Sequence, residues 1–83
     1  LSFSGKTSTF GNILNWITVD EKNVKGFYIE RSTDGSEFEN IGFIPSNSTG
    51  IVENYTFTDV GTVSVYYYRL RIMDHDGQQT YSN

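Results

Sequence analysis

The chain holds one histidine, His75, inside the run Asp74-His75-Asp76-Gly77. Asp-x-Asp-Gly resembles the opening of a calcium loop, where carboxylates at alternate positions meet a glycine at a sharp bend. Such a loop closes on a downstream bidentate glutamate, and no glutamate follows Gly77. Aspartate and glycine are also what a hairpin turn needs for its own geometry, and the plain turn is the preferred reading. A second acidic pair, Asp20-Glu21, invites acid–base chemistry. Two catalytic carboxylates need a cleft and a raised pKa on one of them, and a turn offers neither. With a single imidazole and no cysteine, neither a triad nor a thiolate–metal site can be assembled. No glycine-rich loop leads into a helix that could hold phosphate. The expectation is therefore no catalytic residue, no metal and no cofactor.

A different chemistry is available to Tyr28, Glu30, Tyr67, Arg69 and Arg71. Strand alternation places them together on the outer face of a sheet, where aromatic rings and hydrogen-bonding groups could hold a sugar. The plain alternative is a solvated face with Glu30 and Arg69 paired across neighbouring strands, worth a few tenths of a kcal/mol. Exposure of the rings separates the two. Open, coplanar tyrosines favour binding, and rings covered by arginine stems do not.

The elements that must position these residues read as strands. Residues 63–74, VSVYYYRLRIMD, form the longest such run. Tyr66, Tyr68, Leu70 and Ile72 alternate with Tyr67, Arg69 and Arg71, which predicts a buried apolar row and two arginines in water. Residues 1–4 alternate with Leu1 and Phe3 inward, followed by a loop over 5–11 in which Phe10 folds back as a lid. Residues 12–18 put Leu14 and Trp16 on the core face, with Ile13 and Ile17 outward. Those two isoleucines read equally as ordinary surface residues or as contact with a neighbouring domain.

Residues 20–25 form a polar turn. Strand 26–32 directs Phe27, Ile29 and the Arg31 stem to one side and Tyr28 and Glu30 to the other. Thr33-Asp34-Gly35-Ser36 is the clearest hairpin signal. Strand 38–44 carries Gly42, which marks a bulge or an edge, and ends at Pro45. An exposed, mobile loop is expected over 46–53. Strand 54–59 points Tyr55 and Phe57 inward, and 78–82 is the last strand. Leu14, Trp16, Phe27, Ile29, Phe57, Tyr66, Tyr68 and Leu70 are the expected structural core. Seven short strands joined by turn signals read as an all-β, seven-stranded antiparallel sandwich.

The chain has 83 residues, a net charge of −4, six Phe, six Tyr and one Trp. That length makes one domain, 1–83, whose small core relies on its aromatics. Its six basic residues are not clustered, so no nucleic-acid partner is expected. No apolar run reaches membrane-spanning length, no signal peptide is recognised, and a monomer is expected. Starting at Leu1 within a strand-like run, the chain reads as a domain excised from a longer one. Asn47-Ser48-Thr49 and Asn54-Tyr55-Thr56 match the N-glycosylation pattern.

Leu14-x-Trp16, together with Tyr66-x-Tyr68-x-Leu70-x-Ile72-x-Asp74 and Gly77, resembles a fibronectin type III domain. Asn15-Trp16-x-Thr18, Phe27-x-Ile29-Glu30-Arg31-Ser32-x-Asp34-Gly35-x-x-Phe38, Ile41-Gly42, Tyr55-x-Phe57-x-Asp59, Tyr67-Tyr68-Arg69-Leu70 and Asp74-x-Asp76-Gly77 resemble a Bacteroidetes module of that type. The resemblance covers nearly the whole chain from Asn12. It implies an immunoglobulin-like, fibronectin type III topology, with one sheet of strands one, two and five and another of strands three, four, six and seven. It also implies a tyrosine corner at Tyr66, with Tyr68 as second choice.

Modules of this kind stand in secreted or cell-surface proteins, often before a type IX secretion sorting domain. The implied role is a non-catalytic accessory or spacer module, such as one beside a polysaccharide-degrading enzyme, with neighbouring domains of the same chain as partners. A carbohydrate- or protein-binding module using the outer face of the larger sheet is the alternative.

Overall fold

The computed structural model describes residues 1–47, 51–61 and 66–82. Within them the chain is all-β, with seven strands and no helix: β1 (Ser2–Ser8), β2 (Gly11–Val19), β3 (Val24–Ser32), β4 (Glu39–Pro45), β5 (Val52–Val60), β6 (Tyr67–Asp74) and β7 (Gln79–Tyr81). Two antiparallel sheets, ordered β1-β2-β5 and β4-β3-β6-β7, pack as a sandwich. This is the strand partition that the sequence led us to expect, and it is consistent with an immunoglobulin-like, fibronectin-type-III-like fold.

Alternation determines what is buried. Leu14, Trp16, Phe27, Ile29, Tyr55 and Leu70 form the core, with Phe3, Phe57, Tyr68 and Ile72 packed against it. Trp16 sits at its centre. Tyr55 stacks on it with ring centroids 5.5 Å apart, while Phe3 and Phe27 meet it edge-on at 6.2 and 5.7 Å. Offset and edge contacts of this kind add to the area that each ring removes from water.

Several local expectations are corrected. The first strand runs through Lys6 to Ser8, because β2 continues to offer it partners as far as Gly11. Phe10 is 76% exposed at the tip of this hairpin and is no lid, and Leu1 is also exposed. The fifth strand starts at Val52, where Val19 supplies a partner, so the expected loop over 46–53 is shorter. The sixth strand expected over 63–74 begins in residues outside those described, and among the described residues β6 starts at Tyr67. Beside Gly42 the β3–β4 register shifts, so the bulge falls where glycine marked it.

Candidate functional site

Adjacent strands β3 and β6 bring the sequence-predicted face together, pairing Tyr28 with Arg71 and Glu30 with Arg69. The face is packed rather than open. Both arginine Nε groups donate to one carboxylate, Arg69 to Glu30 Oε1 at 2.7 Å and Arg71 to Oε2 at 2.9 Å. The Arg69 guanidinium lies over Phe38 at 4.0 Å and over Tyr81 at 4.2 Å, and Arg71 lies over Tyr28 at 4.1 Å. Phe43 covers Tyr28 as well, with centroids 4.7 Å apart, and Gln79 Oε1 accepts from Arg71 Nη1 at 3.0 Å.

Glu30 is thereby buried to 7% exposure on what a flat sheet would leave wet. Burial alone raises its pKa, but the bonds and charges of Arg69 and Arg71 outweigh that and hold it below the usual carboxylate value. It is a fixed anion and not a proton acceptor. The arginines expected in water are half-buried, because stacking and ion pairing recruit their stems over the sheet. Tyr67 stays 56% exposed and Tyr81 53%. The Tyr67 ring stands beside Gly35, whose φ of +78° suits glycine in the β3–β4 hairpin.

That hairpin frames an open hollow of about 350 Å³ lined by residues that include Arg31, Asp34, Phe38 and Glu39. The ionisable groups just named already have partners. Asp34 Oδ1 accepts from the backbone of Ser36 and Glu37 and from Ser32 Oγ. The Glu37 and Ser36 N–H groups, helped by the Ser32 hydroxyl, bring its pKa down to about 2.

Two further polar clusters hold the ends of the sandwich. At one end Arg31 Nη1 reaches Asp59 Oδ1 and Oδ2 at 3.1 and 3.0 Å, and Arg31 Nη2 reaches Glu39 at 2.6 Å. Those bonds hold the Arg31 pKa above its ordinary value, through Glu39 first and Asp59 second. Tyr68 donates its hydroxyl to Asp59 Oδ2 at 2.7 Å and accepts from Asn12 Nδ2 at 2.9 Å. Asp59 and Asn12 belong to the smaller sheet and Arg31 and Tyr68 to the larger, so this cluster ties the layers together.

At the other end the Glu21 carboxylate accepts from the hydroxyls of Thr18 and Ser46, and from Tyr55 at 2.7 Å. Burial raises its pKa, but the bonds from Ser46, Thr18 and Tyr55 outweigh this and leave it lowered. Burial, with the Glu21 carboxylate adding to it, pushes the Tyr55 hydroxyl up, so it keeps its proton.

Of the sequence-predicted structural residues, Leu14, Trp16, Phe27, Ile29 and Leu70 are buried, and Phe57 and Tyr68 are partly so. Tyr66 is half-buried under Arg31, 4.6 Å from its guanidinium, and edge-on to Tyr68. The connection to which a corner hydroxyl of Tyr66 was expected to bond lies outside the described residues. Tyr68, the second choice for that corner, anchors its hydroxyl on the side chains of Asp59 and Asn12.

Asp74, His75 and Asp76 form a turn held by its backbone: Gly77 N–H donates to Asp74 O at 3.0 Å, and His75 N–H to Asn23 O at 2.8 Å. Among the described residues no three His, Cys, Asp or Glu side chains converge as metal ligands would. Sequence reading missed Phe38, Phe43 and Tyr81 on the outer face. Their alternation was visible, but which cation or ring each would meet depended on cross-strand register. Comparison with protein-family models, with curated proteins and with solved structures finds no match.

Proposed function

We propose that this chain is a non-catalytic, fibronectin-type-III-like accessory module of a secreted or cell-surface bacterial protein. It acts as a stiff spacer beside functional domains such as those of a polysaccharide-degrading enzyme. One observation carries the reading. The face best suited to a ligand is occupied by the chain's own side chains, with Glu30 neutralised by Arg69 and Arg71 and Tyr28 covered by Arg71 and Phe43. A surface closed in this way adds rigidity and leaves little concavity for a ligand. The polar clusters at Asp59 and Glu21 support the same role, since each joins residues distant in sequence.

A second reading, carbohydrate or protein binding, is favoured by the exposure of Tyr67 and Tyr81, 56% and 53%. The experiment that separates the two is a titration of the isotope-labelled domain with neutral and anionic soluble glycans. No saturable amide shifts on β6 and β7 is the expected result. Saturable shifts centred on Tyr67, Arg69 and Tyr81, abolished by Tyr81→Ala, would replace the spacer reading with the binding one. The parent chain tests the context: neither a catalytic nor a sorting domain alongside would overturn it.

A further inference from the structure

The two sheets have four edge strands, β1 and β5 in one and β4 and β7 in the other. An edge presents unpaired backbone groups to any other strand, and stable monomers blunt it with lysine, proline, a bulge or short length. Three of these edges are blunted. Strand β1 carries Gly5 and outward-facing Lys6, β4 has a register shift and ends at Pro45, and β7 is three residues long. Strand β5 has no lysine, proline, bulge or short length, and its two charges, Glu53 and Asp59, lie on the inner row. It is nine residues long, pairs with β2 without a register shift and holds no Gly, Pro, Lys or Arg.

The outward row of β5 is Val52, Asn54, Thr56, Thr58 and Val60, all uncharged. Read about Thr56 it is nearly self-complementary under an antiparallel two-fold: valine opposes valine, asparagine opposes threonine, and threonine opposes itself. The ends of the strand carry apolar surface. At one end Val19, paired with Val52, and Ile51, which accepts from Asp20 N–H at 2.7 Å, are 63% and 71% exposed. At the other, Val60 and Phe10 are each 76% exposed and are joined through Gly61 N–H and Phe10 O at 2.9 Å.

We propose that β5 pairs with β5 of a second copy of this chain, antiparallel about Thr56, to form a continuous six-stranded sheet. The same two-fold that pairs the strands sets Val52 of each copy directly beside Val60 of the other. One operation makes the Val52–Val60 contact twice and closes the assembly, as an isologous contact must. On the inner row Glu53 meets Asp59 of the second copy, but Asp59 is already neutralised by Arg31, which limits the repulsion. This departs from the monomer expected from sequence and goes beyond the spacer reading, because such a contact would join two parent chains.

The test is sedimentation equilibrium of the 83-residue chain up to millimolar concentration, followed by cysteine cross-linking in a chain that has no cysteine of its own. The expected result is a mass rising with concentration toward twice the 9.4 kDa of one chain. Thr56→Lys, which sets like charges opposite each other at an exposed position, should raise the dissociation constant about tenfold or more while leaving the circular dichroism unchanged.

Thr56→Cys should cross-link to itself on oxidation, since directly opposed residues stand about 4.5–5.5 Å apart at Cα, within disulfide range. Thr58→Cys should not, because its copies lie four residues apart along the strand, about 13 Å. A monomer at all concentrations overturns the proposal. So does cross-linking at Thr58→Cys as fast as at Thr56→Cys, or a dimer indifferent to Thr56→Lys.

Discussion

Removing one hydroxyl, in Tyr68→Phe, tests the claim that a polar cluster ties the two sheets together. The Tyr68 hydroxyl donates to Asp59 Oδ2 at 2.7 Å and accepts from Asn12 at 2.9 Å. The Asp59 side chain is only 10% exposed, so water does not readily replace a lost donor. A hydrogen bond to a charged group contributes about 1.5–3 kcal/mol, and the amide of Asn12 loses an acceptor as well. Arg31 still holds Asp59 through both oxygens, which limits the damage. The expected cost is about 2–3 kcal/mol, with the fold retained. In a domain of this size each kcal/mol moves the midpoint by roughly 4–8 °C, so thermal melting should fall by roughly 10–20 °C.

Tyr66→Phe is the matched control. The Tyr66 ring packs against Arg31 and Tyr68 through its faces and edges, and those contacts survive loss of the hydroxyl. Its cost should stay within about 0.5 kcal/mol. The assay is urea denaturation followed by tryptophan fluorescence, with Trp16 as the single reporter. A Tyr68→Phe midpoint indistinguishable from wild type, or a larger loss in Tyr66→Phe than in Tyr68→Phe, would refute the reasoning. A double-mutant cycle with Asp59→Asn should show coupling between positions 59 and 68 and none between 59 and 66.

Trp16→Ala should cost about 3–5 kcal/mol, because Trp16 is 1% exposed and three other rings pack on it. Against a total of about 5–15 kcal/mol for a native domain, a wild-type midpoint would contradict that. Gly42→Ala should cost about 1–3 kcal/mol, since its Cβ would stand 2.6 Å from Phe57 Cε1; an unchanged urea midpoint would mean that the ring yields. Glu21 and Glu30 have pKa values below the ordinary 4.5, so their contribution is full above that value and is lost as pH falls through their folded values. Stability should therefore be level from pH 7 to about 5 and decline below it, less steeply in Glu21→Gln than in wild type. Equal acid slopes in the two proteins would remove Glu21 from the account.

Much of the architecture was legible in the sequence because alternation is a local property. A strand with period two declares its buried row wherever it lies, and Leu14, Trp16, Phe27, Ile29 and Leu70 followed from that alone. The partition into sheets came from the family resemblance, and the structure has the same partition. Partner choice among polar groups was not legible. Glu21 read as half of an acidic pair on a turn, yet it gathers hydroxyls from β2, from β5 and from Ser46 after β4. Arg31 read as a stem on a core-facing row, and only the packing of sheet on sheet set Asp59 within its reach.

The outer face shows the same division. The sequence placed Tyr28, Glu30, Tyr67, Arg69 and Arg71 on one side of one sheet. Register decided that Glu30 would take both arginines, that Phe38 and Tyr81 would close over Arg69, and that Phe43 would cover Tyr28. Local pattern specifies which face a side chain occupies. Which neighbour it meets there depends on strand order, register and the separation of the layers, and those are properties of the folded chain as a whole.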